Sequence, residues 1–182
     1  LAAWMRANVP DYNGPLTYAK FAGGQSNPTY KLSTPGRNYV LRRKPMGELL
    51  PSAHQVDREY RVMAGLYPTG FPVPRQYGLC EDDGVIGSAF YVMEMVEGRT
   101  IWDGAFPDMD VPTRRAHYDA MIDTLAALHE TDHAAAGLED FGRPGNYFAR
   151  QVSRWTKQYR GAETEHMEAM ERLIEWLPRT LP

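Results

Sequence analysis

Phe21-Ala-Gly-Gly-Gln-Ser-Asn-Pro-Thr-Tyr30, then Tyr39-Val-Leu-Arg-Arg-Lys44, then Ser52-Ala-His-Gln-Val-Asp-Arg-Glu-Tyr60 are the segments on which the reading of this chain turns. The first lies between two runs of strand composition, Leu16 to Ala22 and Thr29 to Ser33. Gly23 and Gly24 let backbone approach a ligand and expose N–H groups, and Gln25, Ser26 and Asn27 add short side-chain donors. That suits a loop covering polyphosphate. No Gly-Lys-Ser/Thr follows, so it is not a Walker A loop; a plain hairpin turn is the alternative. The second segment is a strand, Asn38 to Arg43, set off by the Pro35-Gly36 turn. It ends in three cations, any of which could pair with phosphate; successive strand residues face opposite sides, which leaves Arg42, Arg43 and Lys44 open. The third segment can supply the carboxylate that such a cation needs. Ser52 to Gln55 matches a capping box, and Val56, Tyr60, Met63 and Leu66 fall on one helical face. Glu59 lies beside that face and can point inward to a strand cation. A charged edge strand and a solvated helix face are the alternative.

Two further strands fit Arg75 to Cys80 and Ala89 to Val96, with Glu81-Asp-Asp-Gly84 as the turn. The second of them, Phe90-Tyr-Val-Met-Glu-Met-Val-Glu-Gly98, is an apolar strand running into an acidic, glycine-ended linker. After Gly98 the period changes: Tyr118, Met121, Ile122, Leu125 and Leu128 form a helical stripe, Phe148, Val152, Trp155 and Tyr159 a second, and Met167, Met170, Leu173, Ile174 and Leu177 a third. A strand-rich part over 1–97 therefore precedes a helical part over 98–182. Glycine-rich hairpin, cationic strand, helix with a glutamate, and apolar strand into a hinge is the order of parts in a kinase amino-terminal lobe.

The wording is more specific than that order. Gly23-Gly-Gln-Ser-Asn-Pro-Thr-Tyr30, Tyr39-Val-Leu-Arg-Arg-Lys-Pro45, Leu49-Leu-Pro-Ser-Ala-His-Gln-Val-Asp-Arg-Glu-Tyr-Arg61, Phe90-Tyr-Val-Met-Glu-Met-Val-Glu-Gly-Arg99 and Leu125-Ala-Ala-Leu-His129 resemble the aminoglycoside phosphotransferase and choline kinase-like superfamily, and above all the phosphotransferase domains related to those fused to acyl-CoA dehydrogenases. The resemblance implies an α+β, protein kinase-like fold. An antiparallel-sheet lobe with one main helix, 1–97, would bind nucleotide, and 98–182 would hold the first helices of a helical lobe. It implies an ATP-dependent transfer of the γ-phosphoryl group to a substrate hydroxyl with Mg²⁺. Gly23, Gly24, Gln25, Ser26 and Asn27 would cover the phosphates, Arg42 would be the strand cation and Glu59 its partner, and Glu94 C=O and Val96 N–H would read adenine. Arg in place of the more familiar Lys departs from the general kinase pattern, since Arg binds phosphate through a rigid fork.

Phosphotransfer also needs an aspartate to orient the hydroxyl and side chains to hold Mg²⁺. The resemblance puts these in a His-Gly-Asp loop with a later Asn and Asp, and the chain contains no His-Gly-Asp. The expectation is therefore a chain that stops before its catalytic loop, with no catalytic residue or metal ligand of its own. Three short motifs compete. His117-Tyr-Asp119 lies within a helical pattern, and Thr124 stands where a metal Asn is required; Asp140-Phe-Gly142 reads as a connecting turn. His129-Glu-Thr-Asp-His133 spells the zinc-hydrolase H-E-x-x-H, which would use His129, Glu130 and His133. Asp108-Met-Asp110 reads as a solvated loop. The Met-rich last helix, Trp155 and Trp176 are expected in core or inter-helix packing, with part of that surface uncovered if the chain is a fragment.

Composition sets the outer limits. The 182 residues are 43% hydrophobic, enough for a core, and carry 20 basic against 23 acidic residues. A net charge of −3 argues against a dedicated nucleic-acid binder. No apolar run approaches the ~20 residues that span a bilayer. The single cysteine, Cys80, precludes an internal disulfide and fits a reducing, cytoplasmic setting. The expected partner is a small hydroxyl substrate: a hydroxyacyl thioester, an aminoglycoside, a choline-like alcohol or a sugar. A non-catalytic kinase-like binding module is the second reading, and neither involves nucleic acid or a membrane.

Overall fold

The computed structural model describes residues 1–22, 26–47, 54–142 and 145–181. Three residues of the expected phosphate loop, Gly23, Gly24 and Gln25, and the first two of the expected capping box, Ser52 and Ala53, lie outside the described residues.

Residues 1–139 form one compact unit and residues 140–182 a second. The first is built on a five-stranded antiparallel sheet: β1 (Thr17–Lys20), β2 (Thr29–Ser33), β3 (Asn38–Arg43), β4 (Gln76–Cys80) and β5 (Phe90–Glu94), in spatial order β1-β2-β3-β5-β4. A short helix α1 (Ala2–Asn8) precedes it, and α2 (Val56–Leu66) lies between β3 and β4. β1, β4 and β5 are shorter than their apolar runs suggested, though Phe21 N–H still donates to Thr29 C=O at 3.1 Å past the end of β1.

Alternation along the strands divides the side chains between two faces, and each face has its own helix. Leu32, Tyr39, Leu41, Phe90, Val92 and Cys80 join Met5 and Val9 in one buried cluster under α1. The Trp4 ring meets Phe90 edge-on at 4.9 Å and lies over Gly78, where a Cβ would come within 3.0 Å of it. Ala89, Tyr91 and Val56 form the other cluster, with Tyr60, Met63, Leu79 and Met93 around it. Cover on both faces is why Tyr39, Val40 and Leu41 are buried in succession, as in strands that never meet water. Burying a side chain such as Met5 or Val92 contributes roughly 1.5–3 kcal/mol. Cys80 is a buried free thiol.

The start of α2 differs from the capping-box expectation. Gln55 is the cap residue, with no side-chain cap bond, and the helix begins at Val56. His54 just before it has φ +57, in the left-handed region where His is tolerated better than most residues. Asp57 and Glu59 in the first turn favour the helix dipole. At the other end, a 3₁₀ turn over Tyr67–Thr69 carries Pro68 in its first turn, and Gly70 at φ +81 closes it. Gly65 on α2 sits against the turn at 133–137: a Cβ there would fall 2.5 Å from Ala136 C=O.

The rest of the first unit is the helix α3 (Val111–Glu130), capped by Asp110, whose carboxylate accepts from Thr113 N–H at 2.8 Å. That hydrogen bonding holds Asp110 below the usual carboxylate range, and gives the Asp108-Met-Asp110 motif a capping role. Phe106 is buried against His117 and Tyr118. The second unit contains α4 (Tyr147–Ala162) and α5 (Glu168–Trp176), which a 3₁₀ turn at Leu177–Arg179 follows. The expectation that its aromatic residues lie in a core is corrected: Trp155 is 62% and Trp176 57% exposed, and α3, α4 and α5 bury no side chain fully. α4 and α5 are amphipathic, and large apolar side chains on them, such as Phe148, Trp155, Leu173 and Trp176, stay exposed. No described helix is long and apolar enough to cross a membrane.

Candidate functional site

Register decides between the three cations of β3. Arg42 pairs with Thr29 on one side and with Tyr91 on the other, so its side chain leaves the sheet on the α2 face. Arg43 leaves on the α1 face, and its Nε donates to Lys44 C=O at 3.0 Å. Glu59, one turn into α2, meets Arg42: Arg42 Nε donates to Glu59 Oε2 at 2.7 Å and Arg42 NH2 reaches Oε1 at 3.4 Å. The inward orientation follows from the helix period, because Glu59 sits between the packed residues Val56, Tyr60 and Met63.

The carboxylate is more fully engaged than an ion pair requires. Tyr91 OH donates to Oε2 at 3.0 Å, and Asn27 Nδ2 donates to Oε1 at 2.9 Å. An ionised carboxylate offers about four acceptor positions, and all four are used. Burial, and then the Glu59 charge, push the Tyr91 phenol well above its ordinary range, so it stays a protonated donor. Arg42 is tied further by its NH1, which donates to Thr29 Oγ1 at 3.2 Å, while that hydroxyl donates to Asn27 C=O at 3.1 Å. His54 Nδ1 lies 2.8 Å from Asn27 Oδ1. Arg42 and Glu59 keep 30% and 34% of their side-chain surface, and Asn27 only 3% of its own. The pair is thus reachable from solvent on one side and sealed on the side of Asn27 and Tyr91.

The residues proposed for nucleotide fall into three groups. Asn27, Arg42 and Glu59 are brought into direct contact. Ser26 is exposed at the end of the glycine-rich loop. Glu94 and Val96 lie where β5 gives way to irregular chain: Glu94 N–H donates to Arg75 C=O at 2.8 Å, the Glu94 carboxylate accepts from Arg75 N–H at 3.1 Å, and Val96 is exposed. Of the five N–H groups of Arg42, three have partners among the described residues, and two remain that could meet phosphate oxygens. The donor set therefore fits a polyphosphate, with Arg42 as the charge and Glu59 as the group that aims it. Tyr91, Thr29 and His54 escaped the reading of the sequence. The first two are signalled once the register places them beside Arg42; His54 had no signal beyond its place in the block before Glu59.

The competing motifs separate on geometry. α3 ends at Glu130, so His133 falls in the following turn and the two histidines of H-E-x-x-H do not share a helix. The turn forms because the Asp132 carboxylate accepts from Ala134 and Ala135 N–H, at 2.9 and 3.1 Å. This corrects the zinc reading of His129, Glu130 and His133. His117 sits inside α3 with Nδ1 2.8 Å from Thr113 C=O, Asp119 pairs with Arg115, and Asp140 to Gly142 is a turn as expected. Among the described residues, one group could bring ligand atoms together for a cation, Glu163, His166 and Glu171. Arg160 pairs with both of these glutamates and already supplies their counter-charge.

A family model described as the phosphotransferase enzyme family matches residues 17–182. The mouse protein named acyl-CoA dehydrogenase family member 10 is 48% identical over 93% of this chain, and human acyl-CoA dehydrogenase family member 11 is 47% identical over 92%. The chain spans only 16% and 21% of their respective lengths. A crystal structure of a provisionally named aminoglycoside phosphotransferase from Ralstonia eutropha superposes with a TM-score of 0.85 at 51% identity, over all of this chain and 52% of that one. The five-stranded sheet with its packed helix is the protein kinase-like fold of such enzymes, and the chain belongs to the phosphotransferase enzyme family.

Proposed function

We propose that this chain carries the nucleotide half of an ATP-dependent phosphotransferase that moves the γ-phosphoryl group to a substrate hydroxyl. The observation that carries the reading is the Arg42–Glu59 pair at 2.7 Å, set between β3 and α2 beside the loop that ends in Asn27. A cation so held presents its remaining N–H groups in a fixed direction, and phosphoryl transfer depends mostly on such positioning and charge. Residues 23 to 27 cover the phosphates in this reading, and Glu94 C=O and Val96 N–H receive the adenine edge. Bound Mg²⁺ would neutralise charge on the triphosphate; its ligands and the aspartate that orients the acceptor are expected outside residues 1–182.

The acceptor class we favour is a hydroxyacyl thioester. Support comes from the relatives, which bear the name of acyl-CoA dehydrogenases. Calorimetric titration of the 182-residue chain with ATP, beside a phosphotransfer assay, tests the reading. ATP binding without turnover is expected. Robust transfer by these residues alone, or no ATP binding at millimolar nucleotide, would overturn it.

A further inference from the structure

Proton bookkeeping around Glu59 fixes more than the ion pair. Glu59, facing the Arg42 guanidinium at 2.7 Å, is ionised and can only accept. The Asn27 atom 2.9 Å from it must therefore be the NH₂ group, and the opposite end of the amide, toward His54, must be the carbonyl oxygen. A carbonyl can only accept, so the atom 2.8 Å away, His54 Nδ1, must carry a hydrogen. Donors thus converge on Glu59 from two sides, Arg42 on one and His54 through Asn27 on the other, with His54 as the terminal donor of its arm through an Nδ1–H.

His54 has the right place to matter. It immediately precedes α2, which bears Glu59, and it touches the buried side chain that closes the glycine-rich loop, 27 residues earlier in sequence. The Asn27 amide is almost wholly removed from water, so a rotated amide would leave a donor facing a donor with no solvent to relieve it. The backbone at His54 is in the left-handed region, a conformation kept where the surroundings demand it.

We propose that His54 is a positioning residue for the nucleotide phosphates: its Nδ1–H holds the Asn27 amide toward Glu59, and so sets the end of the glycine-rich loop and the aim of Arg42 together. This rests on the nucleotide reading above. The role is indirect, through Asn27, and needs no contact between the ring and ATP.

Affinity for ATP and for adenosine is measured on the 182-residue chain as wild type, His54→Gly, His54→Asn, Asn27→Ala and the double variant His54→Gly/Asn27→Ala. Glycine accepts φ +57 without strain, so it removes the ring and leaves the backbone at ease. Asparagine keeps a donor and also tolerates that backbone. His54→Gly is expected to weaken ATP about 10-fold, the effect of losing one such link, and to leave adenosine binding unchanged. His54→Asn recovers most of the loss, and His54→Gly adds nothing once Asn27 is alanine. Equal weakening of ATP and adenosine, wild-type ATP affinity in His54→Gly, or additive effects of the two substitutions would each overturn the proposal. Nitrogen-15 chemical shifts of the wild-type ring give a readout that needs no nucleotide. The Nδ1–H tautomer is expected, and an Nε2–H ring sinks the positioning role even if ATP binds. Conversely, a wild-type chain with the Nδ1–H tautomer and no affinity for ATP refutes the nucleotide reading instead, and with it the phosphate role of His54.

Discussion

Changing Glu59 to Gln keeps shape and volume but replaces four acceptor positions with two acceptors and two donors. The best the amide can do is keep its oxygen toward Arg42 Nε and Tyr91 OH and turn its NH₂ toward Asn27. Asn27 must then rotate by half a turn, and His54 must move its proton from Nδ1 to Nε2. Three short bonds, at 2.7, 3.0 and 2.9 Å, lose their ionic acceptor. A bond to a charged group contributes about 1 kcal/mol more than one to a neutral group, so the three together amount to about 3 kcal/mol. Arg42 and Glu59 keep about a third of their surface in water, and screening there reduces the loss to about 2 kcal/mol. For a urea slope of about 2 kcal/mol per molar, the midpoint falls by about 1 M with the slope unchanged. Circular dichroism along a urea series, read beside Trp fluorescence, measures it. A loss below about 0.5 kcal/mol would refute the account of Glu59 as a saturated acceptor. The same variant should show His54 as the Nε2–H tautomer.

Tyr91→Phe removes a buried donor to a charged acceptor and should cost about 1.5–3 kcal/mol in the parent but clearly less in the Glu59→Gln background, which a double-mutant cycle of urea midpoints reads. The folded phenol sits above its ordinary value of about 10, so its contribution is whole below that pH and is lost as pH rises toward the folded value. Alkaline stability should therefore fall less steeply in Tyr91→Phe than in the parent, and equal slopes above pH 10 would contradict the assignment. Gly65→Ala gains up to about 1 kcal/mol of helix propensity, but its methyl would lie 2.5 Å from Ala136 C=O, a backbone atom that cannot swing aside. Overpacking of that kind costs about 1–3 kcal/mol, so a lower melting temperature is expected, while Gly36→Ala, with open space around it, should change little. A raised melting temperature for Gly65→Ala would show that α2 is not seated on the 133–137 turn.

The parts of the fold with a strong local signal were legible in the sequence. Alternating Tyr, Leu and Val marked the strands, the Val56–Tyr60–Met63 spacing marked α2, and Glu59 was assignable because it falls beside that apolar face. The failures were those that depend on where a helix stops or what lies across from it. His129 to His133 has the spelling of one helical turn, but Asp132 bonds the backbone N–H groups after it and ends the helix first. Trp155 and Trp176 look like core residues because periodicity reports that a face is apolar, not that anything covers it.

The sequence by itself settled that a cation of β3 and a glutamate of α2 could meet, because both lie on periodic elements whose faces follow from spacing. Which cation, and with what help, was decided only by strand register. One residue of slip would have turned Arg42 toward α1 and Arg43 toward Glu59, since the side-chain period of a strand is two. Tyr91 and Asn27 reach the Glu59 carboxylate directly, while Thr29 holds Arg42 and His54 holds Asn27, and these residues come from three separate parts of the chain. Their grouping is a property of closure in three dimensions, where one half-buried carboxylate must find a donor for each acceptor position that water does not reach.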